Sequence, residues 1–510
     1  MTKVRKIDSS AVALYYAKEQ SINKLPETPV WQQLEPSEIN DIGGETTQVA
    51  RTIIRPDRQN SRGAITDLTA SAGFKQEISQ NNATELLQGF LFADAREIFK
   101  TKPLVGGKKA TVTASENTYT VSADVTVKNV LTGSLVKAKG FKANVNNGVK
   151  EVETVAEQVL TITAGGGVVA ETVGNGSLEV VGYRAKGLAL KTDGYIRFEL
   201  TGANTLGLSV GQWVFVGGDT NGFATNGTFF ARISSILEGE LVIDLTIGNA
   251  SKLVDETADC DLYFGTFIRN EDDVAKIKRT TYTIEESLDY ADEERTQAQA
   301  SYVSGCVPNE LTINLEQGAL SSMEFGFTGC KVYTRKGTLM AGTRLPAWNE
   351  KGYNNANEVY AAVLSVHSTD ATHTIPEPLF AYMSNANISI NNNTSENKAV
   401  GVLGNFDVSA GKFDLEISPE VYFVDVDTIK AMQENKDCAL QVIVSRDNEG
   451  MVFDVPMIGL AASIPTVSEG EPIKMSLKGN GAKSKFNFTF GYHNFAYLPN
   501  VAMAVEHNAD

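Results

Sequence analysis

The chain has 510 residues, of which 42% are apolar and 21% charged, and its formal net charge is −17. This length exceeds one ordinary core and indicates two to four domains, while the negative charge argues against a protein that grips nucleic acid by neutralising its phosphates. We also expect no secretory signal, because MTKVRKIDSS leads into no apolar stretch, and no membrane span, because no run approaches ~18 apolar residues.

The first predicted elements along the chain are an arm and two strands. The region up to residue 44 contains ALYYAKE and LPETPVWQQL, and we expect it to form an extended arm. Residues 46–54 then predict a strand, 55–63 a polar loop and 64–79 a second, longer strand, because β-branched residues alternate with polar ones around a loop rich in Arg, Asp and Asn.

A helix is predicted next, over residues 81–93. Asn82 is placed to cap it, and Glu85 lies three residues further on, as in a capping box. The apolar residues recur at helical spacing and predict one buried face, formed by Leu86, Leu87, Phe90 and Leu91.

The segment 101–265 has a different composition, rich in Thr, Val, Asn and Gly, with little helical periodicity. Within it, 208–246 alternates through Trp213 and Phe215 and contains an Asn-Gly turn at 226–227. Such alternation around a tight turn is typical of a small barrel or meander. We therefore predict an inserted β-rich unit that projects outward and is dispensable for the rest of the protein.

Strand patterns resume after this segment. Residues 278–287 and 300–329 predict further strands, whereas the acidic run 285–295 is expected to form a solvated helix or loop, since it follows no calcium-loop pattern. Residues 341–379 then read as an irregular connector.

A second set of elements follows the order of the first. Residues 386–390 predict a strand, 391–401 a polar loop, 402–418 a long strand and 427–435 a helix that Asp427 could cap. Next, 438–460 predicts a hairpin around the turn DNEG, and 464–479 predicts two more strands.

The two sets share a short sequence as well as an order of elements. The stretch SAGFKQEIS occupies 71–79, and SAGKFDLEIS occupies 409–418. A match of this length can arise by chance, but the repeated order of strand, polar loop, long strand and helix indicates duplication. We infer two related β modules, the first of them split by the insertion.

No motif of useful specificity indicates catalysis. VGGKKAT (105–111) does not satisfy the P-loop pattern, and TAGGGVV (163–169) lacks the spacing and context of a dinucleotide site. The four histidines have no metal-site or catalytic spacing; they are His367, His373, His493 and His507. All of them except His493 are expected to face solvent. We predict a protein that is not an enzyme, with no catalytic residue, cofactor or metal.

The cysteines show neither a CxxC pair nor a histidine at zinc-site spacing. We expect free and mostly buried thiols, as in a protein made in a reducing cytoplasm, at Cys260, Cys306, Cys330 and Cys438.

Four stretches together resemble the major tail, or tail tube, proteins of long-tailed bacteriophages. They are ALYYAKEQSINKLPETPVWQQL, RTIIRPDRQNSRGAITDLTASAGFKQEIS, the region from TYTIEES to MEFGFTG, and the region from LQVIVSRDNEG to IKMSLKG. The resemblance implies a mainly β fold with two related antiparallel β-sandwich or barrel-forming tube modules, each with a flanking helix, and an inserted β subdomain. It also implies a structural protein of the virion tail that polymerises as stacked rings into the conduit for genome delivery.

Partners and division of the chain follow from the same resemblance. The expected partners are further copies of the chain, tape measure and tail-end proteins, and viral DNA that passes without specific binding, with no membrane and with synthesis in the host cytoplasm. The expected division is an arm (1–44), module 1 (45–100 and 266–340) with its inserted decoration (101–265), a connector (341–379), module 2 (380–498) and a tail (499–510). A β-rich surface adhesin or an array of carbohydrate-binding modules is the alternative.

Two site hypotheses complete the prediction. Contacts between rings are assigned to the loops 55–63 and 391–401, and in the first loop to Arg55, Asp57, Arg58 and Arg62. The channel-facing candidates are Glu77 and Glu416, because they alternate with apolar residues on equivalent strands. Two solvated loops and an outer position of the carboxylates are the alternatives.

Two modules per chain predict a trimeric ring with pseudo-six-fold symmetry, and a hexamer is the alternative.

Overall fold

A computed structural model describes residues 12–499, apart from 55, 57, 58, 60, 102–110, 123–126, 128, 172–175, 219, 249–252, 292, 293, 367–382, 423–435, 462–468 and 471. It confirms the prediction of a mainly β fold. The described residues contain one α-helix and three short 3₁₀ segments, Asn144–Asn146, Ala164–Gly166 and Ala203–Thr205. The helix predicted at 427–435 lies outside the described residues.

The strands and the helix have the following bounds in chain order. The first elements are β1 (Ala13–Lys18), β2 (Val30–Leu34), β3 (Pro36–Ile39), β4 (Gly43–Arg51), β5 (Ser61–Glu77) and α1 (Thr84–Phe90). Then come β6 (Val112–Ser115), β7 (Thr118–Val121), β8 (Ser134–Lys139), β9 (Gly148–Ala156), β10 (Val159–Ile162), β11 (Ser177–Lys191), β12 (Arg197–Glu199), β13 (Trp213–Val216), β14 (Phe229–Ile236), β15 (Glu240–Gly248) and β16 (Glu256–Tyr263). The chain continues with β17 (Thr266–Arg269), β18 (Tyr282–Ala291), β19 (Glu294–Asn314), β20 (Ser322–Gly329), β21 (Lys331–Gly337), β22 (Thr343–Leu345) and β23 (Val359–Val366). The last strands are β24 (Met383–Asn385), β25 (Ile388–Asn391), β26 (Ser395–Lys398), β27 (Asn405–Ser409), β28 (Asp414–Ile417), β29 (Glu420–Tyr422), β30 (Asp437–Arg446), β31 (Glu449–Ala461), β32 (Lys474–Ser476), β33 (Lys478–Gly481) and β34 (Gly491–Phe495).

The strands from β6 to β16 form a sheet of their own, and six of them close on themselves. The antiparallel order β11, β12, β15, β14, β13, β16 returns to β11 and makes a closed barrel. Closure removes free strand edges. Phe198, Ile233 and Leu262 belong to a core that fills this part of the chain. The small barrel predicted around 208–246 is therefore present, with its strands at 177–263.

The remaining large sheet contains a ten-strand series that organises the rest of the molecule. Its order is β3, β5, β20, β19, β25, β28, β33, β31, β30, β23, and every neighbouring pair is antiparallel. Other strands extend it beside β5, β19 and β31. The predicted arm is part of this sheet over residues 13–39, since β1 pairs with β18 and β3 with β5.

Two parts of this sheet have the same order of neighbours. In the first part, β5 pairs with β20, β20 with β19 and β19 with β18; in the second, β28 pairs with β33, β33 with β31 and β31 with β30. The correspondence continues in β21, which pairs with β19, and β34, which pairs with β31. The repeated stretches lie at equivalent places, with 71–77 in β5 and 414–417 in β28.

Both parts contribute to one apolar core. It contains Phe74 and Phe325 from the first part, whose ring centroids are 5.1 Å apart, and Ile417 and Phe453 from the second. Burying a side chain of this size contributes about 1.5–3 kcal/mol, so this shared core holds the two parts together.

Helix α1 presents its predicted apolar face to that core: Leu86, Leu87, Phe90 and Leu91 are all buried. The predicted cap is wrong, because the N-cap residue is Ala83. The Asn82 side chain instead accepts from the Ser79 N–H at 3.0 Å and donates to the Glu77 carbonyl at 2.7 Å, which fixes the turn before the helix.

Three other local predictions are wrong. The expected long strand 402–418 is divided into β27 and β28, and part of the loop 391–401 is strand β26, which pairs with β27. The break lies where Asn393 donates its side-chain N–H to the Lys412 carbonyl at 2.8 Å, a bond that replaces strand pairing.

The acidic run 285–295 lies mostly in β18 and β19, because the Arg344 guanidinium binds the fully buried Glu285 carboxylate at 2.7 Å.

The DNEG hairpin is confirmed as β30 and β31. Asp447 and Asn448 at its turn have φ angles of 51° and 61°, the left-handed pair that a two-residue hairpin turn requires. The four cysteines are free and buried. None of the helices within the described ranges has the length and apolar character needed to cross a bilayer.

Candidate functional site: a polar sheet face and two exposed hairpins

The ten-strand series has one apolar and one polar face over most of its width. In β20, Met323, Phe325 and Phe327 are buried and Glu324 is exposed. In β28, Leu415 is buried and Glu416 is exposed. Since neighbouring residues of a strand point to opposite faces, the core takes alternate side chains and leaves the others outside.

Strand register brings polar residues from six strands into one row. Directly paired residues share a face of a sheet. The row, in order from β5 to β33, is Lys75, Glu324, Thr312, Ser389, Glu416 and Asn480. Glu77 belongs to the same face, two residues from Lys75 along β5, and pairs with Ser322. The two predicted channel-facing carboxylates therefore lie on one continuous surface.

We call this surface the polar face and define it by the row together with Glu77, Glu310, Asn391, Asp414 and Lys478. Its carboxylates are Glu77, Glu310, Glu324, Asp414 and Glu416, and its ammonium groups are Lys75 and Lys478. Five negative and two positive groups give it a net charge of 2 − 5 = −3. A surface with a net negative charge repels a polyanion.

A shallow depression of about 610 Å³ lies in the polar face between β19, β25, β28 and β33. Its lining includes the carboxylates of Glu310, Asp414 and Glu416 and the ammonium group of Lys412. Hydrogen bonding from Lys412, whose Nζ lies 2.8 Å from Oδ1 of Asp414, lowers the pKa of the Asp414 carboxyl and keeps it ionised at neutral pH. No group of three or more His, Cys, Asp or Glu suited to a metal ion occurs within the described ranges.

Among the histidines, only His493 lies in the part of the chain that the structure describes. It stacks on the Phe267 ring at 4.3 Å between centroids. Burial lowers the pKa of its imidazole to about 3, so the ring is neutral at physiological pH and packs as an aromatic side chain. His367, His373 and His507 lie outside the described residues.

Two hairpins have exposed apolar side chains, one within the large sheet and one that forms a two-stranded sheet of its own. The first is β4–β5, where Val49, Ile54 and Ile65 are exposed; the second is β26–β27, with Leu403 and Phe406 exposed. Lone exposed apolar residues are ordinary, but a cluster on a hairpin marks a contact surface.

These hairpins contain the residues predicted for contacts between rings. Arg62 is exposed in β5, whereas Arg55, Asp57 and Arg58 lie outside the described residues. The two hairpins are also joined to each other, since Lys398 Nζ lies 2.6 Å from Asp67 Oδ2 and lowers the pKa of that carboxyl.

The ends of the ten-strand series differ from its interior. Within the described ranges, β3 pairs only with β5, and β23 only with β30. The strand equivalent to β3 in the second part is β25, which also borders the repeated stretch, and it pairs on both sides, with β28 and with β19. An unpaired strand edge is a template for pairing with another chain.

The sequence of the chain matches the family model described as phage tail tube protein over residues 189–490, more than half of its length. The chain belongs to the phage tail tube protein family. The matched region of this tail tube protein begins within β11 of the barrel and ends just before β34. A comparison with curated proteins found no match. Membership makes the protein a structural component of the virion tail.

Sequence reasoning found the two polar-face carboxylates of this tail tube protein that lie in the repeated stretches and missed the others. Glu310, Thr312 and Asn314 alternate with Leu311 and Ile313 in β19, so the signal was present in ELTIN. This alternation predicted a strand but did not identify the strand that pairs with it, because β19 pairs with β25 through residues about 80 positions away.

Proposed function

We propose that three copies of this chain close into a ring, that rings stack into the tail tube, and that the polar face lines the channel through which the genome passes. The observation that carries the proposal is the polar row that crosses six strands without a break from Lys75 to Asn480. A surface of this kind suits the inside of a conduit, because a continuous sheet with one shallow depression offers DNA no deep cleft in which to lodge.

The number of chains follows from the two equivalent parts of the sheet. Their identical order of strand neighbours supports a duplicated tube module. If a ring contains six modules, as the resemblance implies, three chains with two modules each supply 3 × 2 = 6. Closed cyclic symmetry is the usual arrangement of self-assembling subunits.

A joint between chains can form by strand addition, as the joint inside the chain does. Within the chain, β19 of the first part pairs with β25 of the second through Glu310–Ile313 and Ile388–Asn391. Strand β3 holds the place in the first part that β25 holds in the second, and no strand of the described ranges pairs with its outer edge. We propose that the β3 edge of one chain adds to the far end of the ten-strand series of the next, which closes the ring and removes both free edges.

The charge of the polar face suits a channel for DNA. Double-stranded DNA carries one negative charge per ≈ 1.7 Å of its axis. A surface with five carboxylates and two ammonium groups repels the phosphates weakly along its whole length and gives them no fixed partner. The genome would therefore slide without specific binding.

Placing a thiol on the polar face tests this orientation. In the Glu416→Cys variant, we expect the thiol to react in the monomer with a maleimide attached to a polymer coil wider than the channel, and to be protected from it in assembled tubes. A small maleimide that can enter the channel should react in both states. The native cysteines are buried and contribute little background. Mass spectrometry measures the labelled fraction.

The matched control is Lys186→Cys, because Lys186 is exposed on the barrel strand β11. Its thiol should react with both reagents in monomer and tube. Equal reaction of the Glu416→Cys thiol with the large reagent before and after assembly would place the polar face on the outside. Protection from both reagents would place it in a subunit contact.

We propose that the two hairpins contact the next ring through ion pairs, in which Arg55, Arg58 and Arg62 bind acidic groups of that ring and Asp57 binds a basic one. Reversing the charges with Arg58→Glu and Arg62→Glu should stop growth at single rings and leave thermal unfolding of the monomer unchanged. Electron microscopy measures tube length, and Lys186→Glu is the control for a charge reversal elsewhere on the surface. Tubes of ordinary length in the double variant would exclude this role.

The remaining assignments are part of the same proposal. The tube contains modules 45–100 with 266–340 and 380–498, while 101–265 projects outward. Tape measure and tail-end proteins contact the inside and the ends of the tube, and the chain is made in the host cytoplasm before assembly.

A further inference from the structure

The barrel packs against the second part of the sheet with apolar side chains. Phe230 of β14 lies 5.9 Å from Phe495 of β34 and 5.4 Å from Tyr360 of β23, measured between ring centroids. Ile443 of β30 and Val452 of β31 complete the contact. The hairpin β30–β31 is therefore buried on both faces, by the shared core on one side and by the barrel on the other.

A fully buried ion pair crosses this contact. Arg232 of the barrel lies 3.1 Å from Asp454 of β31, and both side chains are 0% exposed. Trp213 Nε1 donates to the same carboxylate at 2.9 Å, and Gln441 Nε2 donates to it at 3.0 Å. Asp244 holds the other side of the guanidinium at 3.0 Å. A buried charge needs such a full set of partners, so this contact has one well-defined geometry.

Further ion pairs lie at the turn of the same hairpin. Lys137 and Lys139 of β8 bind Glu449 at 2.7 Å and 2.6 Å, and Lys137 also donates to the Ala496 carbonyl at 2.6 Å. The sheet that contains the barrel thus holds the hairpin both along its strands and at its turn.

The sheet that contains the barrel, β6 to β16, is connected by the chain to the first part of the large sheet. We call it the barrel unit. The chain enters it after β5 and α1 and leaves it before β18, and both β5 and β18 lie in the first part of the large sheet. Beside its exit, β17 pairs with β34. The unit is joined by the chain to the first part and docks on the second.

We propose that the barrel is a brace that fixes the β30–β31 hairpin relative to the first part of the sheet, and that ring closure depends on it. The hairpin and its neighbour β23 form the far end of the ten-strand series, where the next chain is proposed to add. A mobile hairpin would present this end in many orientations, and few of them would close a ring. This role replaces the expectation that the segment is dispensable, and its link to ring closure depends on the proposed function.

Hydrogen–deuterium exchange of the full chain tests the brace without requiring assembly. In Arg232→Met, the amides of 437–461 should exchange more than about tenfold faster than in the unmodified protein, whereas those of β20 should not change. Arg197→Met is the matched control, because Arg197 is a barrel arginine whose carboxylate partners Asp193, Glu199 and Glu240 all belong to the barrel segment. It should leave both regions unchanged. If Arg232→Met does not fold, Asp454→Asn removes the same ion pair and keeps an acceptor for Trp213.

Ring yield by electron microscopy is measured on the same variants. Faster exchange at 437–461 together with lost rings supports the brace. Unchanged exchange, or faster exchange with an ordinary ring yield, overturns it. If the unmodified protein forms no rings, the proposed function fails, while the exchange measurement still decides whether the barrel fixes the hairpin.

Discussion

Replacing Asp454 by alanine should lower the free energy of unfolding by about 3–5 kcal/mol, because the change leaves Arg232 buried without half of its counter-charge. Arg232 is fully buried, and Asp454 also accepts from Trp213 and Gln441. Trp213 and Gln441 lose this acceptor, and Arg232 keeps only Asp244. Denaturant titration followed by circular dichroism measures the loss.

The matched control for this substitution is Asp94→Ala. Asp94 pairs with Lys278 at 3.0 Å, but the two side chains are 65% and 57% exposed. Surface pairs of this kind contribute about 0–1 kcal/mol. A loss at Asp454 no larger than the loss at Asp94 would contradict the account of the contact between barrel and sheet.

The Ile39→Pro variant should fold as a monomer and form fewer than about a tenth of the normal rings, because proline removes a backbone donor from the proposed joint. Asn40 donates its N–H inward, to the Gly73 carbonyl at 2.9 Å. Backbone groups alternate between the two sides of a strand, so the N–H of Ile39 points to the open edge of β3. Each ring of the proposed trimer contains three such joints, so a lower probability of forming one joint acts three times on the yield of closed rings.

Ile39→Ala is the control for the lost side chain, since it keeps the N–H and should form rings. Size-exclusion chromatography with light scattering separates monomers from rings, and circular dichroism checks that both variants are folded. Ordinary ring formation by the folded proline variant would show that β3 is not the joint.

Two predictions that depended only on neighbouring residues succeeded, whereas the Asn82 cap, which also did, failed. The DNEG turn was recognisable because Asp447 and Asn448 tolerate positive φ, and the buried face of α1 because Leu86, Leu87 and Phe90 follow helical spacing. The interruption in 402–418 was not recognisable, because it depends on a side-chain bond from Asn393, 19 residues before its acceptor Lys412.

Predictions that required distant partners failed for a physical reason. The acidic run was predicted to be solvated because Arg344, which binds Glu285, is 59 positions away in the sequence. Asp454 had no predicted role because Arg232, which lies 3.1 Å from it in the fold, is 222 positions away. Charge in a sequence indicates exposure unless a counter-charge is known, and the fold alone supplies that knowledge.

The candidate site was predictable from the sequence only in part. Alternation in two repeated stretches was enough to put Glu77 and Glu416 outside the core. Their membership of one surface depends on the β19–β25 joint, which pairs Leu311 with Ile390. Strand pairing over that separation leaves no local signal in the sequence.

Electron cryomicroscopy of the assembled protein can resolve the number of chains in a ring and the surface that lines the channel. We expect stacked rings of three chains each, with six similar modules around the channel and with Glu77 and Glu416 facing its interior. Rings of six chains, or a channel lined by another surface while both carboxylates face outward, would contradict the proposed function.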